Sequence, residues 1–460
     1  MLKLLGWLWP VLLLVGCASM ATKNAFYKPI TAELQSGNIS TAAAMLEQAR
    51  EDDKIARKDR LLYYIDAGLL QHYAGHYDTS NQRLHEAEQA AEELFTKSIS
   101  RAALSLLLND NALEYAGEDY EVLYTNLIKA LNYVSLNDFD GAFVEIRRAN
   151  LKLELLQQKY AGAAEQLQYG NPDDSDRVEL PYEVDEIDFH NDAFARYMSM
   201  HMYAAEGKFD DARIDYDYLR EAFRTQAHIY DFPLPVVKYY SDSAAVLSVV
   251  SLVGLAPVKE ALNLRVRSDK DLNLIQVLYD SPGMENAEYG HIPYKVTEDF
   301  YFKFAIPQLV ARPSVISRIR VLADGVALGE LQLLESLNKV AEETFAAKKS
   351  LIYIRSVARA VTKSLAAFKM KKKADTGGLG GWLKKVAIDV GTDLTENADL
   401  RCSQYLPESI YVGDFDVEPG TYDLAVEYYD LNGTLVTKKY YPAVKVVEGG
   451  FNLVETFSLN

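Results

Sequence analysis

The chain has 460 residues, of which 66 are acidic and 48 are basic, so its formal charge is −18 at neutral pH. An acidic field repels polyanions, which argues against a nucleic-acid-binding protein. An apolar fraction of 49% with 31 tyrosines excludes a disordered chain, and the length suffices for about three domains. Two cysteines, Cys17 and Cys402, are too few for a disulfide framework or a cysteine-based zinc site.

The first residues are typical of an export signal. Lys3 is followed by an apolar run over residues 4–15, then by a glycine and Cys17. The run is too short to span a bilayer as a helix, which predicts a cleavable signal peptide over residues 1–16. Its last string, LVGC, resembles the lipobox of bacterial lipoproteins, and this resemblance implies acylation of Cys17. An alanine rather than an aspartate follows the cysteine, which favours the outer membrane; an ordinary signal peptide is the alternative.

Residues 17–255 are predicted to form an irregular helical domain that resembles tetratricopeptide repeats. A turn recurs with a helix-ending residue, an apolar residue two places on and a small residue five places on. The four turns begin at Gly37, Gly75, Asn137 and Gly207. Their spacings are irregular, so extra helices or loops are expected, among them a polar insertion over residues 162–188. Four unrelated helical hairpins with common turn chemistry are the alternative interpretation.

Stacked helix pairs leave a concave wall that binds peptides or partner proteins. Candidates to line this wall are five aromatic residues near the fourth turn: Tyr216, Tyr218, Phe223, Tyr239 and Tyr240. Aromatic residues at helical spacing are also typical of a buried core, so both interpretations stay open. The apolar stretch over residues 244–257 is shorter than a membrane span and is predicted to be a buried helix or connector.

After about residue 256 the hydrophobic period changes to two, which predicts strands. They fall in two blocks, residues 256–330 and 399–460, and Pro419-Gly420 and Asn432-Gly433 in the second block predict a turn and a hairpin. One antiparallel sandwich built from both blocks is expected. The predicted fold class is therefore α+β: an N-terminal irregular tetratricopeptide-like helical array, then an antiparallel β-sandwich that a basic helical insertion over residues 331–398 interrupts.

The insertion is the most basic part of the chain. Residues 339–385 carry a local charge of +9, against −27 for the remainder, and a long helix over about residues 331–370 is predicted before a glycine-rich segment. A basic amphipathic segment with an interfacial Trp favours anionic lipid headgroups or an acidic partner. The residues for this contact are Lys369, Lys371, Lys372, Lys373, Trp382, Lys384 and Lys385. A solvated helix face that pairs with the acidic helical half is the alternative.

Motifs for catalysis or metal binding are missing from the sequence. It contains no P-loop, nucleophile elbow or dinucleotide-binding turn in the required context. His72 and His76 lie one helical turn apart, but without a third ligand they are expected to be structural or solvated. Cys402 is expected to be a buried thiol. We therefore predict no catalytic residue, no metal ion, no cofactor and no enzymatic activity.

Three strings resemble a family of uncharacterised bacterial lipoproteins with tetratricopeptide-like repeats and a C-terminal β-domain. They are residues 115–150, 355–368 and 397–428. In that family a segment of the form ADxRxWxxLP precedes the last β-block; here residues 398–401 match its start, and Tyr405 stands near the expected aromatic position. The resemblance implies a cell-envelope location and a link to lipoproteins that control peptidoglycan synthesis. Asp399 and Arg401 are expected to form a structural pair that locks this linker to the sandwich, rather than a catalytic pair.

The predicted function is that of a membrane-anchored envelope lipoprotein that acts as a protein–protein interaction scaffold or adaptor. It would be held at the outer membrane through the lipidated Cys17, with the periplasmic face favoured over the cell surface. Its partner would be an envelope protein, in peptidoglycan synthesis or envelope assembly. One alternative is a subunit of an envelope secretion or transport complex. Another is an envelope hydrolase, for which the sequence offers no identifiable acid–base pair.

Overall fold

The computed structural model describes residues 24–105, 113–168, 191–241, 244–269, 271–272, 274–281, 284–293, 301–346 and 398–460. Helices occupy the first half of these ranges: α1 (Asn24–Gln35), α2 (Ile39–Glu51), α3 (Arg60–Tyr73), α4 (Tyr77–Ser105), α5 (Asp119–Ser135), α6 (Phe139–Gln168), α7 (Ala193–Ala205) and α8 (Phe209–Thr225). Each odd-numbered helix packs against the next one, so the array consists of helix pairs.

The four turns lie where the sequence predicts them, each between the two helices of a pair. Their first residues, Gly37, Gly75, Asn137 and Gly207, have φ values between 58° and 84°. Glycine and asparagine tolerate this left-handed conformation, which ends a helix. The small residues five places on are fully buried: Ala42, Ser80, Ala142 and Ala212. The helices of each pair therefore approach closely at this position.

The irregular spacing of the turns comes in part from long second helices. α4 has 29 residues and α6 has 30, whereas α2 has 13. The predicted polar insertion over residues 162–188 begins inside α6, which continues to Gln168. Its remainder lies outside the described residues.

The strands of the described residues form three four-stranded sheets. They are β1 (Ala245–Val253), β2 (Val258–Asp269), β3 (Leu274–Ser281), β4 (Met284–Pro293), β5 (Tyr301–Val310), β6 (Arg318–Ala323), β7 (Val326–Glu330), β8 (Gln332–Ser336), β9 (Ser409–Val417), β10 (Gly420–Tyr429), β11 (Leu435–Val446) and β12 (Leu453–Ser458). We call β12-β1-β9-β8 the inner sheet, β11-β10-β6-β7 the outer sheet and β4-β3-β2-β5 the third sheet. A helix, α9, covers residues 337–346 after β8.

The inner sheet lies between the helical array and the outer sheet. Leu247 and Val249 of β1 share a core with Val426 of β10, whereas Val250 and Leu252 pack into the core of the helices. Side chains alternate across a strand, so β1 contributes to both cores. The α+β class with a helical array before antiparallel-rich sheets is confirmed. Of the first predicted strand block, β6 and β7 join β10 and β11 of the second block in the outer sheet, whereas β2 to β5 form the third sheet instead of joining the sandwich. One pair, β1 with β12, is parallel.

Two boundaries differ from the prediction. The prediction of a buried helix or connector over residues 244–257 is wrong, because β1 occupies residues 245–253. A strand buried on both faces has a continuous apolar sequence, which periodicity cannot distinguish from a buried helix. The helix predicted from residue 331 begins only at residue 337, because residues 332–336 pair with β9 as β8. In the parts of the chain that the structure describes, no helix is both long and apolar enough to cross a membrane.

Candidate functional site

Four aromatic rings form a continuous row beside α8. Phe209 packs edge-on against Tyr240 at 5.7 Å between ring centroids, Tyr240 lies 5.2 Å from Tyr239, and Tyr239 lies 6.0 Å from Tyr216. Phe209 is 51% exposed and Tyr240 is 52% exposed. Three of the predicted wall residues are therefore brought together, and two rings of the row face solvent.

The other two predicted wall residues lie apart from this row. Phe223 stacks on Tyr230 at 4.6 Å and contacts Phe232, so it belongs to the aromatic core at the end of α8. Tyr218 is 48% exposed, and the guanidinium of Arg196 lies 4.7 Å from its ring. Phe223 is therefore a core residue, as the second of the two sequence interpretations would have it, whereas Tyr218 lies at the surface.

A groove of about 590 Å³ opens where the helical array meets the sandwich; we call it the seam groove. It lies between the end of α7, the start of α8, the segment before β1 and the turn from β11 to β12. The residues that define it here are His201, Phe209, Tyr239, Tyr240, Ser248 and Phe451. Ligand-binding clefts of proteins have volumes in this range, from about 300 to 1,000 Å³.

The floor of the seam groove is a buried polar cluster. The hydroxyl of Tyr197 donates to Asp414 Oδ1 at 2.7 Å, and the backbone N–H of Lys238 donates to Asp414 Oδ2 at 2.8 Å. His201 Nε2 lies 3.3 Å from Asp414 Oδ1, and His201 Nδ1 lies 3.5 Å from Ser248 Oγ. Burial raises the pKa of Asp414, but the charge of His201 and these hydrogen bonds outweigh it, so the pKa lies below its ordinary value.

No sequence pattern indicates this floor. His201, Ser248 and Asp414 come from α7, β1 and β9, and each is at most 9% exposed. They meet only because the inner sheet packs on α7. No local spacing pattern connects residues that lie so far apart in the chain, so only the topology reveals the cluster.

A second opening runs between α6 and α8 across α7, and we call it the α6–α8 channel. It has a volume of about 380 Å³, and its lining includes Arg147, Asn150, Leu151, Arg196, Ile214 and Asp215. Apolar side chains on the two flanking helices are 44–55% exposed: Val144, Leu151, Leu155, Ile214 and Tyr218. Their spacings of seven, four and four residues place them on one face of each helix.

The base of the channel is fixed by a buried ion pair. Arg196 Nη1 lies 3.2 Å from Asp215 Oδ1, and the hydroxyl of Ser199 also donates to Asp215. Burial raises the pKa of Asp215 above its ordinary value, although Ser199 and Arg196 partly oppose this shift. The apolar stripe of the channel therefore rests on a polar base that holds α7 against α8.

The linker that precedes β9 is locked to the helical array. Arg401 pairs with Asp399 at 2.7 Å and with Asp59, in the short 3₁₀ turn before α3, at 2.9 Å. Asp399 and Arg401 form the predicted pair, but the third partner belongs to the helices rather than to the sandwich. Cys402 is fully buried, as predicted, and burial raises its pKa to about 12.

The two neighbouring histidines have separate partners. His72 is buried and lies 2.7 Å from Asn132 Oδ1 and 2.6 Å from Glu455 Oε1, whereas His76 contacts Gln71. Burial lowers the pKa of His72, but Glu455 and Asn132 raise it more, so the pKa lies above its ordinary value. Among the described residues, no group of three or more His, Cys, Asp or Glu side chains is arranged to hold a metal ion.

Two further predicted contacts lie outside the described residues. One is the lipidation site, Cys17. The other is the set of basic and aromatic residues of the insertion, namely Lys369, Lys371, Lys372, Lys373, Trp382, Lys384 and Lys385.

Comparisons of the chain with protein-family models, curated proteins and solved structures gave no match. The resemblance to a lipoprotein family therefore stays a prediction from the sequence.

Proposed function

We propose that the protein is a membrane-anchored envelope lipoprotein that acts as a protein–protein interaction scaffold or adaptor. The observation that carries this proposal is the α6–α8 channel, where Leu151 and Ile214 of the lining are 55% and 44% exposed. Leu155, one helical turn beyond Leu151 on the same face of α6, is 53% exposed. Apolar side chains that remain in solvent on neighbouring helices are typical of a surface that another protein covers. Lipidation of Cys17 would hold this surface at the membrane.

The channel suits an amphipathic helix of a partner protein. Such a helix places apolar anchors at positions i, i+3 or i+4 and i+7 into a groove between two helices. Charged residues of both signs line the channel, with Arg147 and Glu154 on α6 and Asp211 on α8. We therefore expect charged residues of both signs on the edges of the partner helix, with peptidoglycan synthesis or envelope assembly as the process.

Site-specific crosslinking in the native envelope tests the proposal. A photoreactive amino acid at position 155 should capture one reproducible partner, and the substitution Ile214→Asp on the opposite helix should abolish that capture. Val326 is 68% exposed on β7 of the outer sheet and provides the control position. Capture of the same partner from position 326, or no capture from position 155, would contradict the proposal.

The membrane anchor has a separate test. Replacement Cys17→Ser should remove incorporation of radiolabelled palmitate and remove the protein from the outer-membrane fraction, because position 17 then has no thiol for acylation. Replacement Cys402→Ser is the matched control, since that thiol is buried. Label retained in the Cys17→Ser variant would contradict the lipoprotein assignment independently of the channel.

The envelope hydrolase remains the alternative from another class, and the floor of the seam groove is the specific observation in its favour. The His201 imidazole lies between the other two groups, with Nδ1 3.5 Å from Ser248 Oγ and Nε2 3.3 Å from Asp414 Oδ1. However, Ser248 is 3% exposed and His201 Nε2 makes no hydrogen bond of acceptable geometry among the described residues. Incubation with the protein should leave purified peptidoglycan unchanged, whereas release of fragments that His201→Ala abolishes would favour the hydrolase.

A subunit of a secretion or transport complex is the other alternative. Such a subunit would copurify as a large oligomer.

A further inference from the structure

The seam groove has a different chemical character from the α6–α8 channel. Its outer part is aromatic, with Phe209 and Tyr240 half exposed at the mouth and Phe451 on the opposite side. Its inner part is polar, with the hydroxyl of Ser248 and the imidazole of His201 at the floor. A ligand that fills the groove must therefore present an apolar face and many hydrogen-bonding groups.

Acidic side chains outnumber basic ones around the groove. Asp210 and Glu448 carry negative charge, Arg213 carries positive charge, and Arg213 lies 3.9 Å from Asp210 and 3.5 Å from Asp217. The described lining contains no cluster of basic side chains that would select a phosphate. The lining therefore disfavours an anionic ligand.

We propose that the seam groove binds a short neutral glycan of two or three sugar units. A sugar ring has C–H groups on one face, which pack on an aromatic ring, and hydroxyl groups on its edge, which both donate and accept hydrogen bonds. The row from Phe209 through Tyr240 to Tyr239 supplies aromatic surface over the length of more than one ring.

A polar group at the mouth of the groove complements the aromatic row. The carboxylate of Asp210 lies in the lining, is 98% exposed and can accept hydrogen bonds from sugar hydroxyls. At the floor, His201 Nε2 is buried 3.3 Å from Asp414 Oδ1, and the Asn452 amide already donates to the carbonyls of Val246 and Val447. Tyr197 and Asp414 fix the imidazole from behind, with ring centroids of Tyr197 and His201 4.5 Å apart. Tyr239 and Tyr240, which the sequence predicts to contact a protein, would then contact a glycan. This inference does not depend on the α6–α8 channel.

Ligand binding to the full-length mature protein tests the inference, in a detergent without a sugar headgroup. The probes are β-1,4-linked N-acetylglucosamine trimer, maltotriose and a neutral tripeptide, measured by saturation-transfer NMR and calorimetry. At least one trisaccharide should bind, Tyr240→Ala should weaken its binding at least tenfold, and Tyr240→Phe should retain it. Tyr440→Ala removes a 71% exposed tyrosine from the outer sheet and should leave binding unchanged.

Three results would overturn the inference. The first is the absence of binding of either trisaccharide at concentrations up to about 10 mM, because specific recognition ordinarily has a lower Kd. The second is trisaccharide binding that Tyr240→Ala does not weaken, since the sugar would then lie elsewhere. The third is binding of the tripeptide in place of the sugars. None of these results bears on capture of a partner from position 155.

Discussion

A buried carboxyl group illustrates how one residue makes stability depend on pH. Asp66 in α3 is fully buried, and it accepts hydrogen bonds from the hydroxyl of Ser403 at 2.8 Å and from the backbone N–H of Gln404 at 2.9 Å. Burial raises its pKa from 3.8 to about 7, although these hydrogen bonds oppose the shift. The folded protein therefore holds the Asp66 proton more tightly than the unfolded chain does.

The sign of the pH effect follows from this shift. The contribution of Asp66 to the free energy of unfolding is fully present below about pH 4 and is lost as the pH rises toward 7. Asp66→Asn keeps an oxygen for Ser403 and Gln404 but cannot ionise. We expect this variant to match the wild type at pH 4 and to exceed its free energy of unfolding at pH 8, by as much as about 4 kcal/mol.

Urea denaturation at both pH values measures the effect. Asp210→Asn is the control, because the Asp210 side chain is 98% exposed and should show no comparable difference. A variant that is less stable than the wild type at pH 8 would show that Asp66 stabilises the fold as a charged group.

At the level of elements, the linker before β9 joins the two halves of the molecule. The side chains of Arg401 and Asp59 are 4% and 3% exposed, and the Arg401 guanidinium also donates to the carbonyl of Leu113 and lies 5.1 Å from the ring of Tyr115. A buried charge without its partner is strongly destabilising. Arg401 therefore holds the linker against the helices through several contacts at once.

Replacement Arg401→Ala should lower the free energy of unfolding by about 3–5 kcal/mol, because it leaves the Asp59 carboxylate buried and unpaired. Adding Asp59→Asn should recover part of the loss, since the charge is then removed as well. Chemical denaturation of Arg401→Ala, Asp59→Asn and the double variant measures this recovery. If the double variant were as unstable as the sum of the two single variants, the pair would have no coupling.

The elements that sequence predicts best are those with local causes. Gly37, Gly75 and Gly207 end helices through their own backbone preference, so their positions are correct to the residue. β1 is missed because its apolar run reflects burial on both faces, which depends on β9, β12 and the helices. The seam groove combines both cases: Tyr240 is one of the aromatic residues that the sequence singles out near the fourth turn, whereas His201 reaches the groove only through tertiary packing.

The whole chain combines an acidic body with one basic segment. Residues 339–385 carry the +9 charge, and the remainder carries −27. Of the two interpretations, docking on anionic lipid requires the basic residues to face outward, whereas pairing with the helical half requires them to face the acidic body. Lys339, at the start of this segment, pairs with Asp231 at 3.1 Å. This contact fits the second interpretation, in which the segment pairs with the acidic body.

Vesicle flotation distinguishes the two interpretations. Protein that starts after Cys17 should float with anionic vesicles if the segment binds lipid headgroups, and neutralising Lys371, Lys372 and Lys373 should reduce the floated fraction severalfold. Each basic residue near such a surface contributes about 1 kcal/mol, and salt weakens the contribution. Binding that these substitutions leave unchanged would contradict the lipid interpretation.

The parallel pairing of β1 with β12 has a consequence for the order of folding. These strands close a loop of roughly 200 residues, whereas the helices of each pair are close neighbours in the chain. Helix pairs can therefore form early, and the inner sheet must wait for β9 and β12. During that interval the apolar side chains that later pack on β1 remain in water. We expect the newly synthesised chain to need a chaperone until β12 docks.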